Sequence, residues 1–170
     1  DGDSKFDEIN QTAILLEVAF VPDTSLIKNS KSGRLALYAM LGSNCMNCHS
    51  FNTKLIGPSF KDISNRYTDQ SSLQTLIKHV KEGSNGVWGD IVMPSHPELS
   101  NEQIGDMVKW ILNSNKHNDI NYYTGIEGSF RLSCPPSYGK SSAISVTAGY
   151  MDHNHTIGEH SIFLKGVAAP

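Results

Sequence analysis

Apolar positions along this chain change their spacing twice, and the changes divide it into three parts. The run Thr12-Ala13-Ile14-Leu15-Leu16-Glu17-Val18-Ala19-Phe20-Val21 is rich in β-formers and stops at Pro22-Asp23. It predicts one strand, with helix as the competing reading because Ala, Leu and Glu also suit helices. From about residue 31 the spacing turns helical. Ser32 to Leu41 predicts a short helix ending at Gly42, and Phe60 to Tyr67 a second, entered through Gly57-Pro58-Ser59. Leu73, Leu76, Ile77 and Val80 form the stripe of a third, capped by Ser71 or Ser72 and ended by Gly83. Ser100 with Gln103 forms a capping box for a fourth, on which Ile104, Met107, Val108, Ile111 and Leu112 share one face.

Beyond about residue 118 glycines and prolines punctuate short β-like runs: Phe130-Arg131-Leu132, Ala143 to Tyr150, and Ser161-Ile162-Phe163-Leu164. In the middle run Ile144, Val146 and Ala148 alternate with Ser145 and Thr147, which predicts a half-buried strand. Such runs need at least three paired strands, or another element to pack on, so the N-terminal strand is a candidate partner. The expected organisation is an N-terminal extension over 1–30, a helical domain over 31–117 and a β segment over 118–170.

Composition narrows the function classes. The 170 residues carry a formal net charge of −3, which points to neither a polyanion nor an anionic membrane as partner. No run of 18 apolar residues exists to span a bilayer. The chain opens on Asp1 rather than Met, so it is read as a processed form or a piece of something longer. Three cysteines, Cys45, Cys48 and Cys134, are too few and too odd in number for a disulfide framework.

Two of those cysteines carry the chemistry. Cys45-Met46-Asn47-Cys48-His49 is C-x-x-C-H, the attachment pattern of c-type haem. Two thiols add across the haem vinyl groups, and the next residue, His49, is placed to ligate the iron. A zinc site would need two more ligands, and Cys134 is the only other thiol. A thioredoxin-like pair should follow a strand, whereas these flanks are helical. Among five methionines, Met40 and Met107 read as core and Met46 lies within the attachment loop. Met93 sits in Gly89-Asp90-Ile91-Val92-Met93-Pro94, a loop between helices stiffened by Pro94. It is the candidate sixth ligand, and His/Met ligation suits electron transfer.

Residues 33–116 resemble a small class I bacterial cytochrome c, the monohaem electron carrier of pseudomonads. The resemblance rests on the pentapeptide, Gly57-Pro58-Ser59-Phe60-Lys61-Asp62, Lys81 to Gly89, Met93-Pro94 and Lys109-Trp110-Ile111-Leu112. It implies a mostly α class I fold around one haem c, with a small β-sheet subdomain added by the N-terminal strand and the C-terminal third. It implies that the Pro58 carbonyl accepts from the proximal His49, and that the Trp88 indole donates to a haem propionate, the plainer reading of Trp88 being core packing. The first and last helices are expected to cross with Tyr38 and Trp110 in their packing. Two departures stand out: His79 where an arginine is common near the propionates, and His96 where an asparagine commonly steadies the methionine sulfur, which makes His96 an exchange ligand in principle.

The tail from Gly128 to Leu164 is similar to a β extension after cytochrome units in secreted multidomain proteins of Bacteroidetes, carried by Ala148-Gly149-Tyr150-Met151-Asp152 and Ser161-Ile162-Phe163-Leu164. There the companions are sugar-dehydrogenase-like or other carbohydrate-related domains. His153, His155 and His160 are either a polar hairpin or a metal site, and the loop residues around them favour the hairpin. The expected function is single-electron transfer rather than enzymatic catalysis, between a redox donor and a redox acceptor, with a carbohydrate-related dehydrogenase as a candidate partner and the periplasm or cell exterior as the address. The alternative is a haem sensor or haem enzyme with a displaceable Met93. A third role, a binding module built from the β tail, complements the first.

Overall fold

The structure, a computed structural model, describes residues 14–23, 34–116, 120–129, 141–151 and 156–165. The chain divides into two compact units, Lys31–His117 and the remainder.

The first unit is helical. α1 spans Arg34–Gly42, α2 Phe60–Arg66, α3 Leu73–Glu82 and α4 Asn101–Asn113. α2 and α4 both begin at capping boxes. Ser59 Oγ accepts from Asp62 N at 3.0 Å while Asp62 Oδ2 accepts from Ser59 N at 3.2 Å. Ser100 Oγ accepts from Gln103 N at 3.1 Å, and Gln103 Oε1 from Ser100 N at 2.9 Å. Each box satisfies two orphan donors and is worth about 1 kcal/mol. α3 starts differently from the sequence expectation. Ser72 makes no side-chain cap bond; the Asp69 carboxylate accepts from Ser71 N at 3.1 Å and from Ser71 Oγ at 2.8 Å, through a 3₁₀ turn over Gln70–Ser72. A carboxylate is a stronger acceptor than a hydroxyl and reaches the backbone two residues on.

α4 is the centre of this unit and packs on α1, α2 and α3. Ile104, Met107, Val108 and Ile111 are its buried stripe, set at the i, i+3, i+4, i+7 spacing of one helix face. Leu37, Tyr38 and Met40 of α1 are each 1% exposed. Trp110 meets Phe51 and Phe60 edge-on, at 6.1 and 6.4 Å.

The second unit is a four-stranded antiparallel sheet in the order β2-β1-β3-β4. Its strands are β1 Ile14–Val21, β2 Ile120–Thr124, β3 Ala143–Met151 and β4 Ile157–Lys165. The N-terminal run is a strand and lies between β2 and β3, pairing Leu15 with Thr124 and with Gly149. Leu15 and Val18 are three apart, so they point to opposite faces, and both are buried. β1 is therefore covered on both sides, and each of these side chains contributes about 1.5–3 kcal/mol by leaving water. Four helices and four strands make the described chain mixed α and β rather than mostly α.

The burial of β3 also departs from its hydrophobic alternation. Thr147 and Gly149 are buried while Ala148 is exposed. The Thr147 hydroxyl pairs at 2.8 Å with Ser161 Oγ, directly opposite on β4, so its burial leaves no polar atom unpaired. The sequence pattern does not predict β2, because Ile120-Asn121-Tyr122-Tyr123-Thr124 has no apolar alternation. The run Phe130–Leu132, Cys134, His153 and His155 lie outside the described residues. His160 is exposed on β4 opposite Ala148.

Candidate haem site

The site is built by the helical unit alone. After α1 the chain turns at Asn44, which adopts the left-handed conformation (φ 60°), and closes into a 3₁₀ turn over Cys45–Asn47. Cys48 N and His49 N both donate to the Cys45 carbonyl, at 3.2 and 3.0 Å. This tight turn presents Cys45, Cys48 and His49 to one cavity of about 290 Å³. Pro58, Trp88 and Met93 line the same cavity. All six residues singled out in the sequence thus converge on it.

His49 is held from three directions. Its Nδ1 lies 2.7 Å from the Pro58 carbonyl. A carbonyl only accepts, so Nδ1 carries the proton and Nε2 keeps the free lone pair, the form that binds a metal. Phe60 stacks on the imidazole at 5.6 Å, 17° from parallel. Gly57 lies against the ring, where an added Cβ would fall 2.7 Å from Cε1. Burial holds the His49 pKa below its ordinary value; Pro58 opposes that shift and repulsion from His96 adds to it. The ring is thus neutral at neutral pH.

Met93 is held as firmly through its backbone. Met93 N donates to Ser84 O at 2.9 Å and Ser84 N donates to Met93 O at 3.1 Å. Gly83, at φ +82°, fits beneath this pair; a Cβ there would lie 2.8 Å from the Met93 carbonyl oxygen. Only glycine suits both the dihedral and the close approach. Trp88 is placed by its neighbours. The Arg66 guanidinium lies 4.6 Å over its ring and donates to Val87 O at 2.8 Å, and Tyr67 meets the indole edge-on at 6.5 Å.

The rest of the lining is mainly apolar. Leu76 and Val80 of α3 and Met107, Val108 and Ile111 of α4 all face the cavity. Met40 and Met107, expected as core, are buried and also line it. His79 and His96 lie on its wall.

The surroundings of the cysteines bear on the competing chemistries. Burial pushes the Cys45 thiol up to about 11, with the neighbouring Cys48 and Glu98 adding to the shift. A redox-active C-x-x-C depends on a lowered thiol pKa, the opposite displacement. Among the described residues, no three His, Cys, Asp or Glu side chains gather as a metal ion would require. Two thiols on one turn, a neutral imidazole with Nε2 free, a backbone-anchored thioether and an apolar wall together fit a c-type haem.

These features define a helical domain for a covalently attached haem. Residues 36–115 match the Cytochrome c family. The chain is 41% identical over 71 residues to cytochrome c-552 of Nitrosomonas europaea, covering 41% of this chain and 69% of that protein. It is 36% identical over 69 residues to cytochrome c-551 of Pseudomonas aeruginosa, covering 40% of this chain and 65% of that one. The crystal structure of N. europaea cytochrome c552 aligns at 37% identity over 44% of this chain and 93% of its own, with a TM-score of 0.42. The chain belongs to the cytochrome c family, whose members bind one covalently attached haem c and transfer electrons.

Gly57, Phe60 and Arg66 also brace the site. Gly57 has a sequence signal, since a glycine before Pro58 in an attachment loop marks close backbone approach. Arg66 has none, because a surface-like basic residue gives no hint of a partner 21 residues away.

Proposed function

We propose that this chain moves single electrons through one haem, which Cys45 and Cys48 would hold by thioethers and whose iron His49 and Met93 would ligate. The observation that supports this reading is that His49 and Met93 line one largely apolar cavity, His49 held through Nδ1 by the Pro58 carbonyl and Met93 through its backbone pair with Ser84. The bound haem iron supplies the one-electron chemistry by cycling between ferrous and ferric states. The protein's own residues tune that chemistry. Pro58 holds the His49 ring and raises its basicity as a ligand. Met93, presented on a tied-down loop, favours a high potential and closes the iron to outside ligands. Trp88, braced by Arg66, would offer its indole N–H to a haem propionate. The apolar wall from α3 and α4 excludes water and limits reorganisation.

The same fastening of Met93 favours a carrier over a sensor or an enzyme with an open iron. Redox partners dock weakly and transiently at the cavity mouth, and a carbohydrate-related dehydrogenase is the candidate among them. The periplasm or the cell exterior is the proposed location, because covalent haem attachment takes place outside the cytoplasm. Among the described residues, no helix is long and apolar enough to cross a membrane. The test is carbon monoxide binding to the native ferrous protein. The carrier reading expects slow binding in the wild type and fast binding in Met93→Ala; fast binding in both sinks it.

A further inference from the structure

Lys81 is a basic residue in the last turn of α3, where an ammonium ordinarily serves the carbonyls of its own helix. Here it reaches elsewhere. Its Nζ donates to the Pro97 carbonyl at 2.8 Å and to the Leu99 carbonyl at 2.5 Å, 16 and 18 residues along the chain. Both acceptors lie in the segment that carries Met93 into α4. The same segment is tied to the end of α3 by His96 N donating to Val80 O at 3.0 Å, and by the reciprocal Ser84–Met93 pair. Of these links the Lys81 bonds are the ones made by a side chain, and they carry a full charge.

We propose that Lys81 is a positioning residue for the sixth ligand: its ammonium, seated between the Pro97 and Leu99 carbonyls, clamps the Met93 segment to α3 and keeps the thioether in place. The proposal rests on Met93 being that ligand. Charge-assisted bonds are about twice as strong as neutral ones, and two of them converge on one donor. They close the far end of a loop whose near end is the Ser84–Met93 pair. With both ends held, Met93 departs only if the whole segment opens. With the Lys81 end free, the segment is held to α3 only by the Ser84–Met93 pair and the neutral His96–Val80 bond, and its end toward α4 is loosened.

The test uses the intact holoprotein and compares wild type, Lys81→Met and Lys81→Arg. Lys81→Met keeps the aliphatic stem and removes the donor. Carbon monoxide binding to ferrous Lys81→Met should speed up by about 10- to 100-fold, the factor expected when hydrogen bonds to a charged group are lost. Amide exchange at Met93 and His96 should accelerate by a similar factor, while that of Val108 in α4 follows global stability only. Lys81→Arg, which can still reach both carbonyls, should restore slow binding. Unchanged carbon monoxide and exchange rates in Lys81→Met overturn the clamp. So does an increase that matches the loss in global unfolding midpoint, which marks a purely structural role. Fast carbon monoxide binding by the wild type overturns the Met93 reading instead, and the amide-exchange comparison then decides the clamp separately.

Discussion

The helical unit and the sheet unit bury apolar side chains to different ends. In the helical unit much of the apolar stripe of α3 and α4 faces a cavity, so Leu76, Val80, Met107 and Val108 line a space instead of closing it. In the sheet unit the burial centres on β1 and β3, and the edge strand β4 leaves Ile162, Phe163 and Leu164 at 40–48% exposed. One unit is arranged around something it must hold; the other is arranged around its own central strands. The difference teaches where chemistry resides. The six candidate ligands and supports fall in the first unit, and the second contributes none of them.

The largest effect should come from the attachment turn. Cys48→Ala removes one thioether and Cys45→Ala with Cys48→Ala removes both; the double variant should retain no haem after acid–organic extraction, read by intact mass. Haem that stays covalently bound in the double variant would place the attachment elsewhere. Next in size is a change in the sheet unit. Leu15→Ala should cost about 2–5 kcal/mol of that unit's stability, measured by denaturant unfolding followed by circular dichroism in the β region. The haem absorption spectrum should stay as in the wild type. A spectrum that changes with Leu15 would break the comparison.

Gly57→Ala probes the same comparison from the other side. The new Cβ would press on His49 Cε1 and cost about 1–3 kcal/mol as overpacking does. Here the absorption spectrum and potential should move along with stability. The smallest effect belongs to Glu98. Its own backbone N–H and its hydrogen bond from His96 hold its carboxyl below the usual 4.5. A depressed folded-state pKa stabilises the protein fully above about pH 4.5 and loses that contribution as pH falls through the lower folded value. Wild type and Glu98→Gln should therefore differ slightly in unfolding midpoint near pH 6 and converge on acidification below the lowered folded value. A gap that widens on acidification contradicts the assignment.

Legibility in the sequence followed mainly the distance from each side chain to its partners. Side chains whose partners lie within a few residues could be read directly: the C-x-x-C-H turn, the Ser100–Gln103 box, and the α4 stripe. The placing of Met93 in a loop was readable because Pro94 bars helix at its position. Most of what escaped depended on partners far along the chain. β2 is a strand because β1 lies beside it, not because Asn121-Tyr122-Tyr123 alternates. Thr147 is buried because Ser161 sits opposite with a hydroxyl. Lys81 reads as an ordinary surface cation until Pro97 and Leu99 are seen at its ammonium. Ahead of α3 the Asp69 carboxylate binds Ser71 in the preceding 3₁₀ turn and Ser72 makes no cap bond, a competition between near neighbours that spacing does not rank.

The central claim is that one haem is held between His49 and Met93 for electron transfer. The ferric absorption spectrum of the intact protein tests it most directly. The account predicts a low-spin spectrum with the weak band toward the red that marks methionine sulfur on iron, lost in Met93→Ala. A ferric spectrum without that band in the wild type, or one that Met93→Ala leaves unchanged, would contradict it.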